Sequence, residues 1–398
     1  MAKLSRSVLL YLILFGTMFF LGCIDNIKGV SYPLIKAEFN IPYEQQGMMV
    51  SIFSLAFVVF CFVGGMILGS FGVKKTFLAG FVFMITGLVS VFAFPLLGLP
   101  RILSLAALFF VSAALGLLEV GSNALAAQVF TTRVALLMSL LHFFYGAGSS
   151  LSPRFSGAIA SGLGWRYIYL LSLPLALIFF VPSIFARFPQ EDNSSSAAGG
   201  TRRVRFFTAL KNPMVWVISV VMGLMVGIEV SSINWAGLYF QDVYNLDPKT
   251  SGAAFISNFF IFFTVSRLLS GFAIEKIGYL RSLFIATLAA ILVFTIGFTI
   301  GAKGIHVLPA VGFFIAVFWP TTLAIGMGYF KEDAPVMTSA IIVLSGALNS
   351  VMQFLIGLTN RVVGPAWGYR SCVVYALGII AALVVLNKRL RHPYKEVC

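Results

Sequence analysis

The chain has 398 residues, of which 60% are AVILMFWYC and only 10% are DEKR. Soluble domains are about a quarter charged, so few charges cannot wet a surface of this size, and an ordinary soluble fold is excluded. The net charge of +14 would suggest a nucleic-acid partner in a soluble protein, but the basic residues here fall in short breaks between apolar runs, where they set membrane topology.

A helix needs about 20 apolar residues to cross a bilayer, and with short turns at roughly 33 residues per crossing this length holds about 12. Apolar runs between charged or Gly/Pro breaks predict spans at 7–34, 46–70, 76–97, 101–128, 134–162 and 166–186, then 213–240, 250–275, 281–301, 305–330, 335–361 and 369–387. At the N-terminus, Lys3 and Arg6 precede a run ending Phe20-Leu21-Gly22-Cys23, in the manner of a lipoprotein leader. Leu21 stands where such leaders have a small residue, and the apolar run continues to Leu34, so the segment is read as a span. The long polar stretch from Arg187 to Lys211 contains Asn193-Ser-Ser-Ser-Ala-Ala-Gly-Gly and then Arg202, Arg203 and Arg205, the composition of a flexible linker. The expected fold is an all-α membrane protein of twelve transmembrane helices in two pseudo-symmetric six-helix bundles, 1–186 and 212–398, joined by a cytoplasmic linker, 187–211.

Alternate loops differ in charge. One side of the membrane takes 17 of the basic residues, the other takes 7, and Lys28, Arg154 and Arg267 lie within spans. The excess places both termini and the linker in the cytoplasm of an inner-membrane protein. The halves also repeat. Gly65-x-x-x-Gly69-Ser70-Phe71-Gly72 matches Gly271-x-x-x-Glu275-Lys276-Ile277-Gly278 at an offset of 206 (271−65), and Asp25 and Glu229 match at 204 (229−25). Gly164-Trp165-Arg166-Tyr167 matches Trp367-Gly368-Tyr369-Arg370, also at 204 (370−166). Such duplication is a common plan among secondary transporters.

Ionisable residues within the spans carry the remaining information, because each is costly in hydrocarbon and must face a partner or water. The acids are Asp25, Glu119 and Glu229, and the deep base is Lys28. Asp25 and Lys28 are three apart on one helix face. They either neutralise one another and lock helix packing or line a pathway. Glu119 shares a face with Asn123, and Asn349 with Gln353, while Glu229 opens a stretch reaching Asn234 and Trp235. Trp319 stands beside Thr321 and Thr322, and His142 lies in the fifth span. A carboxyl group taken out of water holds its proton more tightly, so it can load a proton on one side and release it on the other. Three acids against one deep lysine leave negative charge that must take up a proton or another cation such as sodium. Amides, rings and a carboxylate together suit a hydroxyl-rich solute. Lys28 acts either as an internal counter-ion or as an attractor of an acidic sugar.

Enzymatic chemistry finds no support. There is no G-x-x-x-x-G-K-[ST] and no H-E-x-x-H, the histidines His142, His306 and His392 are scattered, and the cysteines Cys23, Cys61, Cys372 and Cys398 form no C-x-x-C pair. No catalytic residue, metal site or cofactor is expected.

Several of these segments resemble the major facilitator superfamily: the two Gly-x-x-x-x-x-x-Gly loops, Gly65–Gly72 and Gly271–Gly278, each with a basic residue in or after it, Gly164-Trp165-Arg166-Tyr167, and the six-plus-six layout. Within it, others are similar to the fucose:proton symporter family: Phe19-Phe20-Leu21-Gly22-Cys-Ile-Asp25-Asn26, Gly116-Leu-Leu-Glu119-Val-Gly-Ser-Asn123, His142-Phe-Phe-Tyr-Gly146-x-Gly148, Gly227-Ile-Glu229-Val and Phe318-Trp319-Pro320-Thr321-Thr322. The resemblance implies import of a monosaccharide with a proton by alternating access, with Glu119 in sugar binding and coupling and Asn26 contacting sugar. It also implies gating loops at Gly65, Gly72 and Lys74 and at Arg267, Gly271, Glu275 and Lys276. The chain departs from that family in span 1, where Gly29 occupies the place of the family's aspartate, and in Gly69, which replaces the superfamily's acid of the first loop.

The expected protein is therefore a monomeric carrier that moves a sugar or similar small polar solute through a polar cavity between its halves. Glu119, Asp25 and Glu229 handle the proton, and Asn26, Lys28, Asn123, His142, Asn234, Trp235, Trp319, Asn349 and Gln353 contact solute. Two alternatives stand beside it: an exporter of drug-like or lipophilic compounds, suggested by Gly148-x-x-x-x-Pro153, and a transporter-like receptor that binds without translocating.

Overall fold

The computed structural model describes residues 2–189 and 208–390, apart from the side chains of residues 2–7, 134–136, 332 and 335. Most of the expected linker, residues 190–207, and the basic C-terminal Arg391 and Lys395 lie outside the described residues. Every element among the described residues is a helix. Hydrocarbon offers no partner for backbone N–H and C=O groups, and a helix satisfies them within its own segment. Ten stretches are long and apolar enough to cross a membrane, so the chain is a multi-pass membrane protein.

Two compact units divide the chain. The first comprises Met1–Ile41, Ile52–Ser196 and Asp247–Ser257. Its helices are α1 (Ala2–Glu38), most of α2 (Tyr43–Leu96), α3 (Arg101–Val129), α4 (Val134–Gly162) and α5 (Trp165–Phe185). Spans expected at 46–70 and 76–97, with a loop between, form instead a single helical run interrupted at Gly72, whose φ of 82° and ψ of 171° are non-helical. That backbone region is open essentially to glycine alone, so one residue does the work of a loop. Just past it, the Lys74 ammonium donates to the carbonyls of Ile184 (2.7 Å) and Ala186 (2.9 Å). A cation at a helix C-terminus meets the negative end of the helix dipole, and here it ties the bend in α2 to the end of α5.

The second unit comprises Pro42–Ser51, Ala197–Leu246 and Asn258–Cys398. It begins with α6 (Pro213–Asn234), whose start combines a Pro at the first helical position with the Asn212 side chain accepting from the Met214 N–H at 2.9 Å. The span expected over 213–240 breaks at Trp235, and α7 (Ala236–Tyr244) follows. Next in the chain come α8 (Ala253–Ile277), whose residues to Ser257 belong to the first unit together with the π turn at Pro248–Gly252 that leads it in, and α9 (Tyr279–Thr299). The span expected at 305–330 opens as 3-10 turns at Gly301–His306 and Leu308–Ala310 before α10 (Val311–Ile315) and α11 (Phe318–Phe330). The chain ends with α12 (Ala334–Val362), α13 (Pro365–Arg370) and α14 (Cys372–Arg389). Within this unit the opening turn of α2 is held to α12 by a Glu44–Arg361 ion pair at 3.1 Å and by close approach of Gly47 to Gly357.

The two halves repeat, at registers that differ along the chain. Gly278 has a φ of 91°, matching Gly72, at the expected offset of 206 (278−72). The start of the last helical segment is different. Gly164 (φ 100°) and Gly364 (φ 115°) take the same place, at an offset of 200 (364−164). Tyr169 and Tyr369, both buried, bond Ser31 at 2.8 Å and Ser232 at 3.1 Å. The Trp-Arg and Tyr-Arg match at 204 is thus one helical turn out of step, a slip that keeps the same face and so escapes a reading by pattern. Likewise Ser31 and Ser232 set an offset of 201 (232−31) for α1 and α6. Glu229 then stands at the place of Lys28, and the pairing of Asp25 with Glu229 is corrected by three residues.

Candidate functional site

In the first unit the site is built on the seam between α1 and α4. A Cβ on Gly22 would lie 2.0 Å from the Tyr145 carbonyl oxygen, and one on Gly148 would lie 2.1 Å from that of Phe19. Two glycines facing two backbones let the helices touch, the usual device where association cannot draw on the hydrophobic effect. Polar side chains then cross the seam. Asn26 Nδ2 donates to the Gly22 carbonyl (3.0 Å) and to Ser149 Oγ (2.9 Å), and Ser152 Oγ donates to the Cys23 carbonyl (2.8 Å). Asn26 is fully buried, and its Oδ1 has no partner among the described residues.

One residue earlier on α1, Asp25 meets two donors. Lys28 Nζ reaches Oδ1 at 2.5 Å, and the Tyr145 hydroxyl reaches Oδ2 at 2.7 Å. The i, i+3 spacing brings Lys28 onto the face of Asp25, and the Gly22–Gly148 contact brings Tyr145 across from α4. The cluster is not sealed: the Lys28 and Asp25 side chains keep 22% and 25% exposure. On α3, Asn123 Nδ2 donates to Glu119 Oε1 and to the Glu119 carbonyl, both at 2.9 Å. Glu119, Asn123 and His142 are half-buried, whereas Arg154 is exposed.

In the second unit the corresponding seam joins α6 and α12. Gln353 is fully buried and fully used. Its Nε2 donates to Asn349 Oδ1 (2.9 Å), Ser231 Oγ (3.2 Å) and the Gly227 carbonyl (3.3 Å), and its Oε1 accepts from Trp235 Nε1 (2.9 Å). Trp235 itself is 1% exposed. Asn234 and Thr322 are buried, each with a side-chain oxygen lacking a partner among the described residues. Glu229 and Trp319 are half-buried.

The expected gating residues separate into two kinds. Gly72 and Lys74 hold structure, as described above. Gly65 and Gly271 have no atom within 4 Å of an added Cβ, so neither marks a close helix contact. Glu275 and Lys276 are exposed, and the Arg267 guanidinium lies 4.4 Å from the centre of the Phe263 ring.

The structure thus joins Asp25 with Lys28, Glu119 with Asn123, and Trp235 with Asn349 and Gln353. It adds Tyr145, Ser149 and Ser231, which sequence reasoning passed over. Tyr145 was within reach of the sequence, since it immediately precedes Gly146-x-Gly148, the small-residue stretch that permits close approach.

Stacked spanning helices, polar seams and charges held at mid-span define a membrane transport protein rather than an enzyme. The sequence pattern of the Major Facilitator Superfamily matches residues 14–355, and the chain belongs to that family of transporters. It is 24% identical over 389 residues to the "Putative glucose/galactose transporter" of Helicobacter pylori, covering 91% of this chain and 90% of that one. Its fold is similar to that of the E. coli fucose:proton symporter FucP, with a TM-score of 0.68 at 16% identity, covering 96% and 99% of the two chains. It is also similar to that of a POT family transporter solved with 5-aminolevulinic acid, with a TM-score of 0.75 at 13% identity and 96% of each chain covered.

Proposed function

We propose that the chain is a secondary transporter moving a sugar or similar small polar solute together with a proton across the cytoplasmic membrane, by alternating access of its two halves. In this reading α2 counts as two crossings, before and after Gly72, and α4 as a further one, giving twelve in all. The halves are 1–186 and 212–398, the linker is 187–211, and both termini are cytoplasmic. The observation that carries the proposal is the Asp25–Lys28–Tyr145 cluster. A carboxylate within a spanning helix has both oxygens bonded, yet it and its lysine stay partly open. Partial opening leaves the carboxylate within reach of a proton and the lysine within reach of a solute, which a sealed pair does not allow. Glu119 supplies a second acid, which Asn123 orients. The likeness to a relative named for glucose and galactose, over nine-tenths of the chain, supports a sugar-like solute.

The test is uptake of labelled glucose, galactose and fucose into proteoliposomes under an imposed pH gradient. Whichever of them the wild type transports is expected to accumulate only when the gradient is present. Glu119→Gln, which keeps the size and removes the titratable proton, is expected to lose accumulation while retaining exchange down a solute gradient. Full accumulation by that variant refutes the assignment of Glu119. A requirement for sodium in place of the pH gradient refutes proton coupling.

A further inference from the structure

We infer that the transported solute carries a carboxylate, and that Lys28 is the group that recognises it. The inference rests on the carrier reading above and names its substrate class. A neutral sugar is held by amides and rings, and in this structure those groups are largely committed to helix packing. Asn26 and Gln353 are each 0% exposed and Trp235 1%, with their donors bonded across the α1–α4 and α6–α12 seams. In the first unit the bonded polar pairs that stay partly open, Asp25–Lys28 and Glu119–Asn123, both include a charged group, and Lys28 supplies the cation. Lys28 and Asp25 lie within a spanning helix, where exposure to hydrocarbon is costly, so their open side faces water.

An ammonium group has three N–H donors, and Asp25 engages one. Asp25 is held in place at its other oxygen by the Tyr145 hydroxyl. Lys28, at the end of a flexible stem, is therefore the member of the pair that is free to change partner. When a solute carboxylate takes Lys28, Asp25 keeps the Tyr145 hydroxyl and takes up one proton from water. The cluster is neutral before, as Asp⁻ with Lys⁺, and neutral after, as protonated Asp with Lys⁺ and the solute carboxylate. One anion and one proton thus enter the site together. Titratable groups facing Asp25 include Lys28 on its own helix and Tyr145 on α4, with Tyr32 further along α1. A hydroxylated monocarboxylate of sugar size, an aldonate or a uronate, meets these requirements.

The test is counterflow exchange by the full-length protein in proteoliposomes, with labelled gluconate, glucuronate, glucose and galactose as probes. Exchange of gluconate or glucuronate is expected. Lys28→Met is expected to raise its half-saturation concentration roughly 10- to 100-fold, the value of a hydrogen bond to a charged group. Should that variant fail to reconstitute, the wild-type comparison of acids with neutral sugars decides. Exchange of glucose or galactose with the acids inert overturns the inference and leaves the sugar-carrier reading standing. Undiminished acid exchange in Lys28→Met also overturns it. No exchange of either class overturns both.

Discussion

At the scale of the residue, the site depends on glycines as much as on charges. Gly22 and Gly148 do no chemistry, yet their missing Cβ atoms set Tyr145 against Asp25 and Ser149 against Asn26. Gly148→Ala drives a methyl group into the Phe19 carbonyl and is expected to cost about 1–3 kcal/mol, read as a lower thermal midpoint in detergent. Gly65→Ala places its methyl group in open space and is expected to change stability by less than about 0.5 kcal/mol. Equal midpoints for the two variants would contradict the seam as described. The same contrast shows what was legible in the sequence. Asp25, Lys28, Glu119 and Asn123 stood out because ionisable groups are costly in a span, and their helical spacing predicted the contacts found. Asn26, Trp235 and Gln353 also stood out, but their burial was hidden. An amide that binds solute and one that staples two helices look alike until the neighbouring helix is in place.

At the scale of the element, composition and break residues revealed the spans more reliably than the junctions between them. Runs at 101–128 and 134–162 match α3 and α4 closely, since Pro100, Arg133 and Gly164 mark the breaks at their ends. The two spans expected here are present on either side of Gly72, but the loop expected over 71–75, suggested by Gly72, Lys74 and Lys75, is a kink. In the structure a single residue with φ of 82° bears the change of direction. Gly72→Ala is therefore expected to destabilise the protein by about 1–3 kcal/mol, whereas Gly69→Ala, helical and with open space around it, is expected to be neutral. Thermal unfolding of the two variants side by side checks this, and an unaffected Gly72→Ala would mean that the bend tolerates an ordinary residue. The repeat register shows a related limit. A slip of three or four residues preserves the helical face, so motif matches at 204 concealed true offsets of 201 and 200.

At the scale of the whole molecule, the spans hold more charge than packing alone explains, and the proposed use of it is to move a solute with a proton. The two proposals divide the labour between Glu119, the coupling acid, and Asp25 with Lys28, where solute and proton meet. The most direct test is proton movement itself, followed by a pH-sensitive dye trapped in proteoliposomes with no gradient imposed at the start. Adding gluconate, glucuronate, glucose or galactose outside is expected to acidify the lumen for whichever of them is transported, and to do so no longer in Glu119→Gln. Uptake of solute by the wild type with no change in lumenal pH would contradict the account.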